Sequence, residues 1–300
     1  MSALRRKSSI ALVIGIIIML LLIPIWYGIL APSIIISELE KIDLLYLYEG
    51  TLEFEYHSMP ILIKTPIYTE EPKGDNIILK MDVNVIHSNA TLHEFSKSST
   101  YVLNKFTREN VGDAPEADKN RTGYDPLFPS HLKADEDIPN TWLDNLNITG
   151  TLKFEGSVVE RGVTLYKYFI NATTTKEIYI PDIGIRNSTL TSTKTILIEP
   201  LSGLWVYTEN ETFSWIMLPS MHKYFCLEFY STAESKAQEL ANARAAYDSI
   251  QLLELYIPTI LGIIAIILTL VLPFNVRRLK RKMHACNRCG VHDSNVYSII

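Results

Sequence analysis

Two stretches without a single charge constrain this chain more than any other feature. No Asp, Glu, Lys or Arg occurs between Ser8 and Ser37, or between Leu255 and Val276. A helix rises about 1.5 Å per residue, so about 20 apolar residues cross the roughly 30 Å hydrocarbon layer of a bilayer. Backbone amides in lipid find no water, so such a stretch is helical. The expectation is one transmembrane helix over residues 10–31 and a second over 256–276. Lys and Arg are retained on the cytoplasmic side. Arg5, Arg6 and Lys7 precede the first stretch, and Arg277, Arg278, Lys280, Arg281 and Lys282 follow the second. Residues 1–9 and the basic tail 277–300 are therefore expected in the cytoplasm, and residues 32–255 outside the plasma membrane. A cleaved signal peptide is the alternative for the first stretch, but its apolar run exceeds the usual signal core.

The whole chain has a formal net charge of −5. Its ends are basic, so the middle is strongly acidic, which argues against a nucleic-acid partner. Asn-x-Ser/Thr occurs at Asn89, Asn120, Asn147, Asn171, Asn187 and Asn210, all between the two apolar stretches. This places glycosylation acceptors where a surface domain would carry them. The plainer reading is a domain whose strands and loops are simply rich in Asn and Thr. Cys226 is the one cysteine of the middle region, and Cys286 and Cys289 lie in the tail. A membrane would separate them, so the outer domain is not a disulfide scaffold and relies on its core.

Within the middle region, spacing of Leu39, Ile42, Leu45 and Tyr46 predicts that the first helix continues outward over Ile34–Leu47. After Gly50 the period becomes two: Leu52, Phe54 and Tyr56 alternate with Glu53 and Glu55. Further Ile-, Val- and Tyr-rich runs follow, separated by polar turns, and predict eight or more strands. Residues 108–150, rich in Pro, Gly and acids, read as a long loop or excursion. From Ser231 to Leu255 an Ala-rich run predicts a helix, with Ser231 as N-cap and Glu234 completing a capping box. The fold class expected is a mostly β domain, an antiparallel sheet or barrel, flanked by two terminal transmembrane helices, with the 231–255 helix leading into the second.

Several of these features together resemble a family of two-pass membrane proteins, best represented in actinobacteria, that goes by the name of PorA porins. They are the Arg-rich start and first span, Thr122-Gly123 with Phe128-Pro129, and Trp142 with Asp144. They also include Glu199-Pro200-Leu201-Ser202-Gly203-Leu204 and the run from Ala233-Glu234-Ser235 to Leu255-Tyr256-Ile257-Pro258. The resemblance covers most of the chain diffusely and carries no catalytic signature. It implies a pore or transport component.

Motifs of catalysis are missing from the sequence: it has no Gly-x-Ser-x-Gly, no His-Glu-x-x-His and no phosphate-binding Gly-rich loop, and the reading is that the protein is not an enzyme. Asp118 to Gly123 starts like a calcium loop, but its twelfth position is Pro129 instead of Glu, so a polar turn is expected. In the tail, His284, Cys286, Cys289 and His292 have the residue types of a zinc knuckle, although four ligands within nine residues crowd a tetrahedron. Free thiols and acylated juxtamembrane cysteines are the alternatives. Apart from that zinc, no cofactor is expected. The function expected is that of a surface protein binding or organising envelope lipid, glycan or protein. A porin and a receptor with the layout of class B scavenger receptors are the alternatives, the latter by architecture alone.

Overall fold

The computed structural model describes residues 21–39, 41–54, 57–93, 95–112, 120–180, 184–218 and 222–267. They fall into two units, residues 34–250 and residues 1–33 with 251–300. The larger unit is mostly β. Its strands are β1 (Asp43–Phe54), β2 (His57–Lys73), β3 (Asn76–His87), β4 (Ala90–Thr91), β5 (Lys97–Asn104), β6 (Asn110–Val111) and β7 (Thr122–Gly123). They continue with β8 (Ile138–Leu143), β9 (Ile148–Glu160), β10 (Val163–Ile180), β11 (Gly184–Glu199), β12 (Leu204–Met217) and β13 (His222–Ser231).

The strands follow the order β7-β6-β5-β3-β2-β1-β13-β12-β11-β10-β9-β8, with β4 paired to β3. Every ladder between named strands is antiparallel. The two ends of this path meet. Tyr124 and Thr141 form a parallel bridge. The Tyr124 amide donates to the Asn140 carbonyl at 2.8 Å, and the Trp142 amide donates to the Tyr124 carbonyl at 2.8 Å. The sheet is thus a nearly closed twelve-stranded barrel, which leaves few unpaired edges. Period-two sequence explains its filling: Ile61, Ile63, Thr65 and Ile67 of β2 and Ile77, Leu79 and Met81 of β3 are buried on one face. Tyr46, Tyr101, Tyr168 and Phe128 are the largest fully buried side chains.

Three expectations need correction. The first helix does not run to Leu47: α1 (Ala31–Leu39), preceded by a π-helical turn at Trp26–Leu30, ends there, and Asp43 onward is strand. Tyr46, Tyr48 and Leu52 are buried at strand spacing, so Leu45 and Tyr46 fitted the helical period by coincidence. Residues 108–150 are no simple excursion, because they supply β6, β7 and β8 and close the barrel. Ser231 is not the N-cap. The Ser235 amide donates to Thr232 Oγ1 at 3.1 Å, so Thr232 caps α2 (Ala233–Gln251), while Ser231 is the last residue of β13.

That displaced serine has another use. β13 pairs with β1 only from Tyr48 and with β12 only from Glu211. Beyond its end, the start of α2 takes its place in the wall. The Thr208 amide donates to Ser231 Oγ at 2.9 Å and the Leu47 amide to Ser235 Oγ at 3.0 Å, so two serine hydroxyls replace missing ladder bonds. Farther on, Leu240 and Ala243 bury against Val163, Leu165, Leu197, Val206 and Tyr207.

The helix continues through a π-helical turn, Leu252–Tyr256, and runs unbroken over Ala233–Ile267. Among the described residues it is the one helix long and apolar enough to cross a membrane, and Leu21–Ser37 is a shorter apolar helix. In the smaller unit, Trp26 Nε1 donates to the Leu253 carbonyl at 2.7 Å and Tyr27 Oη to the Glu254 carbonyl at 2.9 Å. Each helix is thus joined to the other where its own hydrogen bonding departs from the α pattern. Thr259 Oγ1 donates back to the Leu255 carbonyl, so its hydroxyl is satisfied within the helix.

Candidate functional site

The barrel interior is not filled throughout. A cavity of about 190 Å³ remains between strands of both halves. One wall is apolar, formed by Ile63, Met81, Val83, Val85, Leu227 and Phe229. The other carries charge: Asp125, Asp144, Lys194 and Glu211 line it, with Lys97 and Asn145.

These charges come from distant elements. Lys194 of β11 lies directly opposite Glu211 of β12, and its Nζ is 3.3 Å from Glu211 Oε2. The ammonium also sits 3.9 Å from the centroid of the Trp205 ring, a cation–π contact inside the barrel. Asp144, just after β8, accepts from Arg121 at 2.7 Å, Lys97 at 2.6 Å and Trp142 Nε1 at 3.2 Å. Arg121 precedes β7, donates to Ser99 Oγ and the Thr100 carbonyl at 2.9 Å each, and lies 4.2 Å from the Tyr101 ring centroid. The first two residues of the calcium-like run, Asp118 and Lys119, lie outside the described residues. Asp125 follows two residues after β7, with Tyr101 Oη 3.4 Å from Oδ2.

The two aspartates titrate differently because their partners differ. Burial pushes the Asp125 carboxyl up to about 7, against the pull of Lys194. Burial also acts on Asp144, but Lys97 and Arg121 outweigh it and hold that carboxyl below its ordinary value. Trp205, 7% exposed, has an indole N–H with no protein acceptor. The cavity therefore sets apolar surface and fixed charges side by side.

Another buried carboxylate lies outside the cavity. Glu239 of α2 is 3% exposed; Asn242 donates to its Oε2 at 3.2 Å and its Oε1 has no partner. Burial pushes its carboxyl up to about 7, more than the Asn242 bond lowers it. The unfolded chain ionises this group near its ordinary pKa, at lower pH than the folded chain does. Stability from this source is therefore full below that value and is lost as pH rises through about 7. Glu239→Gln is expected to flatten the pH profile of stability between pH 4 and 8 by about 2–3 kcal/mol, read from denaturant midpoints at each pH. An unchanged profile refutes this assignment.

All six Asn-x-Ser/Thr asparagines are exposed, and they come from separated parts of the barrel. Asn89 and Asn147 occupy turns with φ of 64° and 56°, Asn171, Asn187 and Asn210 lie on β10, β11 and β12, and Asn120 precedes β7. The tail residues His284, Cys286, Cys289 and His292 lie outside the described residues. Among the described residues no group of three or more His, Cys, Asp or Glu could hold a metal ion. Cys226 is a buried free thiol on β13.

None of the cavity charges was singled out for a site from the sequence. No local motif joins them, since each neighbours the others only through strand pairing. The one available signal was Lys194, a charge at an inward position of the alternation Leu190, Ser192, Lys194, Ile196. No family model matches the sequence, and no curated protein matches it.

Proposed function

We propose that the protein is a membrane-anchored surface protein whose barrel captures a small molecule in its interior cavity. The cavity carries this reading. A concave, partly open space with one apolar wall and a few convergent polar groups is the usual form of a ligand site. At about 190 Å³ it exceeds an engineered cavity of about 150 Å³ that holds benzene. The anchor rests on the charge-free stretches and on the apolar side chains that the smaller unit exposes, among them Leu252, Leu255, Ile260, Ile263 and Ile267. With spans at 10–31 and 256–276, both termini are cytoplasmic and the barrel is outside, where the exposed sequon asparagines accept glycans. Kinship with the two-pass family named above is part of the same proposal.

The pore that this kinship implies has less support. The barrel interior is packed with side chains such as Tyr46, Tyr101 and Tyr168, and the sequon asparagines lie on its exposed surface. Capture of a molecule at the membrane surface fits these features better than conduction.

The test is native mass spectrometry of the full chain extracted from its own membranes in mild detergent. The expected result is a bound small molecule on the wild type that is lost in Val83→Phe, a change that fills the cavity, with an unchanged denaturation midpoint. Bare protein in both samples, with discrete conductance steps in planar bilayers, overturns the capture reading in favour of the pore.

A further inference from the structure

We infer that the cavity takes a small monoanionic ligand with an apolar body, of the class of aromatic or short aliphatic carboxylates, bound at Lys194. This rests on the capture reading and specifies its ligand.

The hydrogen-bond inventory favours an acceptor. Asp144 is engaged by Arg121, Lys97 and Trp142 Nε1, and Glu211 by Lys194 and by Asn145 Nδ2 at 3.4 Å. The cavity's ionised carboxylates are thus already committed. Donor capacity is left over at Lys194, whose ammonium carries three N–H groups against the single carboxylate of Glu211. An incoming ammonium would compete for occupied acceptors, whereas an incoming carboxylate meets free donors.

Charge balance agrees. Three cations face this region, Lys97, Arg121 and Lys194, against the carboxylates of Asp125, Asp144 and Glu211. Tyr48 and Tyr101 are the other titratable groups facing the cluster; burial pushes the Tyr48 phenol well above its ordinary value, and Tyr101 Oη donates to Asp125. With Asp125 protonated the cluster carries one excess positive charge. The excess falls at Lys194, whose side chain is 15% exposed, and a monoanion beside it cancels that charge where water screens it least. Protonated Asp125 also keeps a donor, where ionised Asp125 would repel the ligand. The apolar wall of Ile63, Val83, Val85 and Leu227 then takes the ligand body.

Three water-soluble probes of equal size distinguish the possibilities: benzoate, benzyl alcohol and benzylammonium, titrated calorimetrically into the full-length protein in detergent at pH 6 and pH 8. Benzoate is ionised at both. It is expected to bind at least about tenfold more tightly than the other two at pH 6 and to weaken at pH 8. Asp125→Asn should abolish that weakening, and Lys194→Met should bring benzoate down to the level of benzyl alcohol. Equal or tighter binding of the alcohol or the ammonium by the wild type overturns the anion assignment while leaving the capture reading intact. Binding of none of the three overturns the ligand class, and the capture reading then falls only if the natively extracted protein is also bare. The probe comparison uses wild-type protein, so it decides the matter even if Lys194→Met does not fold.

Discussion

Gly123→Ala opens the barrel and costs about 3–5 kcal/mol of stability, as for the more severe backbone and overpacking substitutions. Gly123 adopts φ of 75°, which a side chain resists, and a Cβ there would overlap the carbonyl oxygen of Asn140. That carbonyl is the acceptor of the Tyr124 amide, one of the two backbone bonds by which the end of the strand path meets β8. The Gly123 carbonyl also accepts from Asn110 Nδ2 at 2.9 Å. Relieving the overlap must therefore disturb closure, and with it Arg121 and Asp125 on either side. The expected result is a large fall in the denaturant midpoint together with loss of bound ligand. By contrast, Gly74, also at positive φ, has open space around it, so Gly74→Ala should cost about 1 kcal/mol or less. A Gly123→Ala protein as stable as the wild type would mean that the Tyr124–Asn140 contact does not hold the barrel shut.

Removing the Arg121 guanidinium is expected to cost about 3–5 kcal/mol, the usual result of leaving a buried partner charge uncompensated. The Arg121 side chain is 4% exposed and links Asp144, Ser99, Thr100 and the Tyr101 ring. In Arg121→Met, Asp144 keeps only Lys97, whose side chain is 49% exposed and screened by water. Its carboxyl would then move upward, since burial already opposes its ionisation. Adding Asp144→Leu to Arg121→Met should recover part of the loss, because both buried charges then go together. A double-mutant cycle by chemical denaturation measures this coupling, and strictly additive losses would show that the pair is not an energetic unit.

Much of the architecture follows from the sequence because it depends on neighbours. Within the described residues, the apolar runs over Leu21–Ser37 and Leu255–Ile267 are helical, and the Ala-rich run from Ser231 to Leu255 marks α2 by propensity. Alternation at Ile61, Ile63, Thr65 and Ile67 marks β2, since a strand's two faces differ at every step. The same local logic failed where two periods coincide. Leu45 and Tyr46 satisfy a helical spacing, but Tyr46 and Tyr48 are drawn into the barrel core, where Trp205 stacks on Tyr46 at 5.1 Å. Thr232 rather than Ser231 caps α2 because Ser231 Oγ is claimed by the Thr208 amide of β12.

What the tertiary structure alone decided is closure and what it encloses. Thr122-Gly123 reads as a turn until β8 lies beside it, and the backbone groups that join them carry no side-chain signature. Arg121, Asp125, Asp144, Lys194 and Glu211 read as a solvated acidic and basic surface. Folding turns them inward and matches them across strands, so that Lys194 meets Glu211 and Arg121 meets Asp144. Composition counts charges but not which of them face one another. Register sets that, and register depends on pairing between residues far apart in the chain, whose mutual approach no local pattern encodes.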